Sequence, residues 1–271
     1  MIRLALRVDR AHAEVALAEL LELAPGGVEE VDLGADGVEY AVYGPPGELP
    51  LLPDLEAAVG GALIAVTTSE LPDNWSERWK QFHTPLVLGE RLAVRPPWEQ
   101  PLGAEVELVI DPAQAFGTGA HATTRLCLEL LLELADADGE RGPLLDLGSG
   151  SGVLAIAAAK LGFDPVIAVD FDPLSVEATR ENAAVNGVAL DVARCDLRSD
   201  PVPAAPVVLA NLLRPLLLDY AARLTEPPHT LVASGLLIHE ANEVAAAFAV
   251  HGLREHDRRE RGEWAALLLA A

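Results

Sequence analysis

The sequence predicts an α/β protein, with a parallel sheet covered by helices in the C-terminal part of the chain and a small ferredoxin-like α+β domain in front of it. Three observations carry this. From Leu144 onward, short apolar runs alternate with runs of helical spacing. A glycine-rich turn joins the first of those strands to the first helix. Residues 1–70 read in the order strand, helix, strand, strand, helix, strand, which is the split βαβ arrangement.

Taken in order, Ile2–Val8 is an apolar strand and Ala11–Leu23 has helical spacing, stopped by Pro25-Gly26-Gly27. Val28–Leu33 and Val38–Tyr43 form a hairpin around Ala35-Asp36-Gly37, and Leu55–Val59 and Ala62–Thr68 supply a short helix and a last strand. Residues 71–95 are a linker and connecting segment. Trp75 and Trp79 lie four apart within it, on one helical face that packs between domains, and a hinge falls near residues 69–76. Short strands follow at Pro85–Leu88 and Arg91–Val94, ended by Pro96-Pro97. The main domain, 96–271, alternates strands Leu144–Leu147, Val166–Val169, Val207–Ala210 and Thr230–Ser234 with helices Val153–Leu161, Ser175–Asn186 and Leu212–Leu224. Such sheets bind ligands at the carboxyl ends of their strands.

Composition narrows the function. Of 271 residues, 51% are hydrophobic and 23% charged, a globular mixture that excludes a disordered chain. The net charge of −23 argues against nucleic acid or membrane as direct partners and favours a basic macromolecule. Residues 1–74 carry 14 acidic and 3 basic side chains, so nearly half of the excess sits in the first quarter. Cys127 and Cys195 stand 68 residues apart and suggest neither disulfide nor metal site, with Cys127 a core filler. Without a signal-like or spanning apolar run, the expected location is cytoplasmic.

The chemistry concentrates at four places. DLGSGSG at 146–152 brings backbone amides of Gly148, Gly150 and Gly152 close to a ligand, but Val153 stands where a dinucleotide fingerprint needs glycine. This GxGxG spacing resembles the first motif of class I S-adenosylmethionine (SAM)-dependent methyltransferases. Asp170, 22 residues after Gly148, ends the second strand, where a carboxylate accepts ribose hydroxyls, while Asp172-Pro173 caps the next helix. Asp196 lies where an adenine-edge contact is often found. Asn211 ends the strand of ANLLRP, and the leucines after it cannot stack on a planar substrate, so an aliphatic amine fits better. Arg214 reads as a solvated charge at a helix start. The polar segment DPAQAFGTGAHATTR, 111–125, runs into a helix before the glycine turn and holds His121, a candidate base or a loop-fixing hydrogen bonder.

With these blocks in hand, the chain resembles the ribosomal protein L-eleven (L11) methyltransferase family, PrmA. The likeness runs through ELLELAPGGVEEV, WSERWKQFH, DPAQAFGTGAHATT, DLGSGSGVLAIAAAKLG, AVDFDPLSVEATRENAAVNGV, VLANLL and SGLL. It implies a Rossmann-like class I methyltransferase sheet, SAM as cofactor with contacts at Thr124, Gly148, Asp170 and Asn211, to which the glycine turn adds Gly150, and no metal. It further implies methylation of lysine side chains and the α-amino group of ribosomal protein L-eleven, held by the N-terminal domain of a monomeric enzyme. Ser149, Ala120, Ala122 and EPPH at 226–229 depart from the family pattern without removing a cofactor contact.

In-line transfer to nitrogen needs a neutral amine. At pH 7 deprotonation costs roughly 4.6 kcal/mol for lysine and about 1 for an α-amino group, so a dry pocket around Phe116, Asn211 and Leu212 would do the work of a base. His121 and Asn211 are the catalytic candidates, with no essential base required. The rivals are a methyltransferase of another basic protein, an inactive SAM-binding assembly protein and a dinucleotide oxidoreductase. Because the acidic first quarter implies electrostatic attraction to a basic partner, the affinity for that partner is expected to fall as salt is added; an affinity unchanged by salt in a titration series would remove the electrostatic contribution.

Overall fold

The computed structural model describes residues 2–13, 29–34, 37–44, 63–70, 84–111, 121–137 and 141–271. The chain divides into two compact units, Met1–Phe82 and His83–Ala271. The helices expected at Ala11–Leu23 and Leu55–Val59 fall largely or wholly outside the described residues, as do Trp75, Trp79 and Phe116.

In the first unit, β1 (Ile2–Val8), β2 (Glu29–Asp32), β3 (Val38–Gly44) and β4 (Leu63–Glu70) form one antiparallel sheet in the order β2-β3-β1-β4. That is the strand order of a ferredoxin-like domain, with β1 inserted between β3 of the hairpin and β4. Leu4, Leu6 and Val8 alternate along β1 and are buried, as are Val38, Tyr40 and Val42 of β3. The Tyr40 hydroxyl donates to the Ala13 carbonyl at 3.0 Å, so the largest buried side chain leaves its polar end satisfied.

The second unit opens with a small sheet. β5 (Leu86–Leu88) pairs antiparallel with β6 (Leu92–Arg95), which pairs parallel with β7 (Val106–Val109). Then come α1 (Ala122–Asp136), β8 (Leu144–Leu147), α2 (Val153–Lys160), β9 (Val166–Asp170), α3 (Pro173–Asn186) and β10 (Asp191–Arg194). β11 (Val207–Asn211), α4 (Arg214–Arg223), β12 (Thr230–Leu237), α5 (Ala241–Ala249), β13 (Arg254–Arg261) and β14 (Trp264–Ala270) complete it. The large sheet has the order β10-β9-β8-β11-β12-β14-β13.

Period-2 alternation sorts the strand residues into two apolar layers. Leu144, Leu209, Val232 and Ala266 face a cluster containing α1, α2 and the small sheet, whereas Leu145, Val208, Leu231 and Leu267 face one containing α4 and α5. The parallel sheet expected from the sequence ends at β12. β14 runs antiparallel to β12, and β13 closes the edge antiparallel to β14. The reason for the miss is local: REHDRRER has no apolar alternation, because an outer strand gains by carrying charge. The helix expected at Leu212–Leu224 starts at Arg214, since Pro215 favours the first turn and leaves Leu212 and Leu213 extended. Among the described residues no helix is long and apolar enough to cross a membrane.

Candidate active site

The ends of β8, β9 and β11 meet where the strand order reverses, the usual crevice of an open α/β sheet. The turn after β8 is pinned from several sides. Gly148 and Ser149 donate their amides to the Val169 carbonyl at 2.8 and 3.0 Å, and the Gly150 amide donates to Asp170 Oδ2 at 2.9 Å. Thr179 of α3 donates its hydroxyl to the Gly150 carbonyl at 3.0 Å and lies 3.0 Å from Ser149 Oγ, so the hydroxyl at 149, a departure from the family pattern, has a buried partner.

Asp170 is 8% exposed, and burial pushes its carboxyl up from the ordinary value. Its oxygens accept backbone amides, Oδ2 from Gly150 at 2.9 Å and Oδ1 from Asp172 at 3.0 Å, with a further backbone bond from Phe171. Asp172 caps α3 by accepting from the Leu174 amide at 3.0 Å, the cap that Asp172-Pro173 suggested. Phe171 beside them is 56% exposed with the Arg198 guanidinium 5.8 Å from its ring centre, an apolar plate that sequence reading passed over. Asp196 is bound to Arg198 at 3.0 Å, which holds its carboxyl below the usual range.

Asp146 of β8 is buried, with Oδ2 accepting from the Ala155 amide in the first turn of α2 at 3.1 Å and Oδ1 without a hydrogen-bond partner. Burial foremost, with Asp170 adding repulsion, pushes its carboxyl up to about 7. Two desolvated carboxyls beneath one glycine turn, one with an orphaned oxygen, suit a cofactor that carries positive charge and a ribose. The residues present therefore fit SAM.

On the other side of the turn, Asn211 Nδ2 lies 3.4 Å from Thr124 Oγ1, joining β11 to α1 across 87 residues of chain. Leu212 follows and is clasped between two backbones. A Cβ on Gly148, φ +73°, would overlap its Cδ2, and one on Gly235, φ +81°, would overlap its carbonyl, whose carbon lies 2.7 Å from that Cβ position. Gly235 is the residue where β12 bulges against β14, between Ser234 and Leu236, and the Leu212 amide donates to the Ser234 carbonyl at 3.0 Å. The SGLL block signalled this position, but its partner in ANLL shows only in three dimensions.

His121 caps α1, its Nδ1 accepting from the Thr123 amide at 3.3 Å and lying 2.8 Å from Thr123 Oγ1. Its ring stands edge-on to Trp264 at 4.8 Å, and burial lowers its pKa. Arg214 keeps a partly exposed charge at the start of α4 and pairs with two acids: Nη1 donates to Glu243 at 2.7 Å, and Nε lies 3.1 Å from Glu240. Both cysteines are buried, and the Cys127 thiol is pushed up to about 12, consistent with an inert core residue. Among the described residues, no three metal-ligating side chains cluster.

A seven-stranded sheet of this order, with a glycine turn after its first strand and an acid ending the second, defines a class I SAM-dependent methyltransferase. The family model of ribosomal protein L11 methyltransferase (PrmA) matches residues 54–271. The ribosomal protein L11 methyltransferase of Pelobacter propionicus is 42% identical over 217 residues, 76% of this chain and 68% of its own. That of Pelotomaculum thermopropionicum is 39% identical over 215 residues, 77% and 69%. A crystal structure of ribosomal protein L11 methylase from Lactobacillus delbrueckii subsp. bulgaricus superposes with a TM-score of 0.60 at 32% identity, covering 69% of this chain and 97% of that one. The chain belongs to the ribosomal protein L11 methyltransferase (PrmA) family.

Two outcomes follow from this geometry. Gly235→Ala drives a methyl group into the Leu212 carbonyl at a positive φ, so it is expected to cost about 1–3 kcal/mol in urea unfolding and to weaken S-adenosylhomocysteine binding measured by calorimetry. Asp146, near 3.9 when unfolded and about 7 when folded, binds its proton more tightly in the native state. Stability therefore falls as pH rises from about 4 to about 7, and Asp146→Asn is expected to flatten that fall relative to wild type in unfolding curves across the window.

Proposed function

We propose that this protein is a SAM-dependent N-methyltransferase acting on lysine side chains and the N-terminal α-amino group of ribosomal protein L11. The observation that carries this is the end of β11: Asn211 beside Thr124, followed by leucines instead of an aromatic ring, next to a glycine turn backed by two buried acids. Thr124, Gly148, Gly150, Asp170 and Asn211 hold the cofactor, and the names of the relatives supply the substrate.

When bound, SAM supplies a methyl group on a positively charged sulfur. The chain's own part is to bind, orient and dehydrate. Asp170, whose oxygens already accept backbone amides, would take the ribose hydroxyls, and the buried carboxyl of Asp146 behind the glycine turn would favour a cofactor that carries positive charge. Asn211, braced by Thr124, presents its side-chain amide to the incoming amine, and the apolar Leu212 beside it lowers the cost of the neutral form. The pocket would hold the amine lone pair in line with the methyl group that bound SAM would supply, and the nitrogen's surplus proton would leave to solvent. His121 positions rather than deprotonates: Nδ1 is engaged by the helix it caps, which leaves the ring proton on Nε2. Residues 1–70 form the substrate-recognition domain, 71–95 the connecting segment and 96–271 the catalytic domain. The acidic first quarter suits a basic ribosomal protein.

The test is intact-mass analysis of ribosomal protein L11 from a strain without this gene, before and after incubation with enzyme and SAM. Mass gains in methyl steps are expected, with fragment spectra placing them on lysines and the amino terminus. No gain by an enzyme that binds SAM would redirect the search to other basic proteins. In the same assay His121→Ala is expected to keep kcat within about tenfold of wild type, whereas loss of an essential base costs 10²–10⁴-fold.

A further inference from the structure

α3 carries two asparagines one turn apart, Asn182 and Asn186, which therefore share a face. Asn186 acts as a strand partner. Its Oδ1 accepts from the Val109 amide at 2.9 Å and its Nδ2 donates to the Val109 carbonyl at 2.7 Å, the pair of bonds that a neighbouring strand would make to β7. Asn182 makes the same kinds of bond but divides them between two segments. Its Oδ1 accepts from the Asp111 amide at 3.0 Å, and its Nδ2 donates to the Ser151 carbonyl at 2.9 Å.

Asp111 opens the polar 111–125 segment, and Ser151 lies in the glycine turn. Asn182 is 4% exposed, so its bond to the Ser151 carbonyl is shielded from water and the one to the Asp111 amide partly so, and loss of the side-chain amide removes both. The amide is planar, and its two ends cannot move independently. A displacement of the Ser151 carbonyl is carried to the Asp111 amide, while at the far end of the same segment His121 caps α1 and Thr124 accepts from Asn211 of β11.

We propose that Asn182 is a positioning residue that couples the glycine turn to the start of the 111–125 segment, so that cofactor binding at the turn stabilises the attachment of that segment and the attachment in turn favours the cofactor. This rests on the cofactor half of the function proposed above and is independent of the methyl acceptor. Reciprocity is required: if the cofactor strengthens the attachment, the attachment must strengthen cofactor binding by the same factor.

The experiment uses the full-length protein with S-adenosylhomocysteine as the probe. Amide exchange at Asp111 is read by NMR with and without the probe, and its Kd is measured for wild type, Asn182→Asp, Asn182→Ala and Asn186→Ala. In wild type, saturation is expected to slow exchange at Asp111 at least about fivefold. Asn182→Asp keeps the acceptor for Asp111 but turns a carboxylate toward the Ser151 carbonyl. It is expected to raise Kd about tenfold or more and to abolish the probe-dependent slowing. Asn186→Ala loosens β7 without touching the turn, so it should lower the unfolding midpoint yet leave Kd within about twofold. Asp111 exchange unchanged by the probe in wild type overturns the proposal, and this readout needs no variant to fold. So does equal weakening of binding by Asn186→Ala and the Asn182 variants, which would mean a general loss of stability. Because none of these measurements involves a methyl acceptor, failure on ribosomal protein L11 and failure of the coupling are separate results.

Discussion

The carboxyl edge of the large sheet depends on how closely Leu212 lies against two glycines. Its side chain occupies the space a Cβ on Gly148 would need, and its carbonyl the space a Cβ on Gly235 would need. Three stretches far apart in sequence, the turn after β8, the end of β11 and the bulge in β12, thus share one contact point. Close packing leaves no slack at Gly235, where it is the Leu212 backbone that cannot step aside, whereas at Gly148 the contact is with the end of the leucine side chain. Asn211 precedes the clasped residue and inherits its fixed position, as does Thr124 through it.

Desolvation is the second constraint. Asp146 and Asp170 lie in water-poor surroundings, and each is partly compensated by backbone amides. The compensation is incomplete by one oxygen, that of Asp146. Such a deficit destabilises the empty fold and favours a cationic ligand that removes it, which suits a site that must bind a sulfonium and release a neutral thioether. In the proposed reaction on amines, shape and dryness would carry specificity more than a dedicated base, since an ammonium group loses its proton more readily once removed from water.

Much of this was legible in the sequence. Apolar runs of strand length, separated by helical spacing, marked β8, β9, β11 and β12 to within a few residues, because strands buried on both faces need continuous apolar character, which the largely exposed edge strand β10 lacks. DLGSGSG and Asp170 were legible because their chemistry is local: a turn, amides and an acid a fixed distance on. β13 was not, since its charges suit an outer edge and mask its period. The acids that flank Arg214 were not legible, because Glu240 and Glu243 come from a segment that only the fold brings near.

What the sequence determined by itself was the order and type of elements, the glycine turn with its paired acid, and the family. Periodicity, glycine placement and charge are properties of neighbours along the chain. Only the tertiary structure decided which residues meet: Asn211 with Thr124 across 87 residues, Asn182 with Asp111 across 71, and Leu212 with both glycines. It also decided that His121 spends Nδ1 on a helix cap and that one oxygen of Asp146 goes unpaired. Hydrogen bonds and close contacts act over a few ångströms in space, and the path of the chain between two residues leaves no local trace of where they will touch.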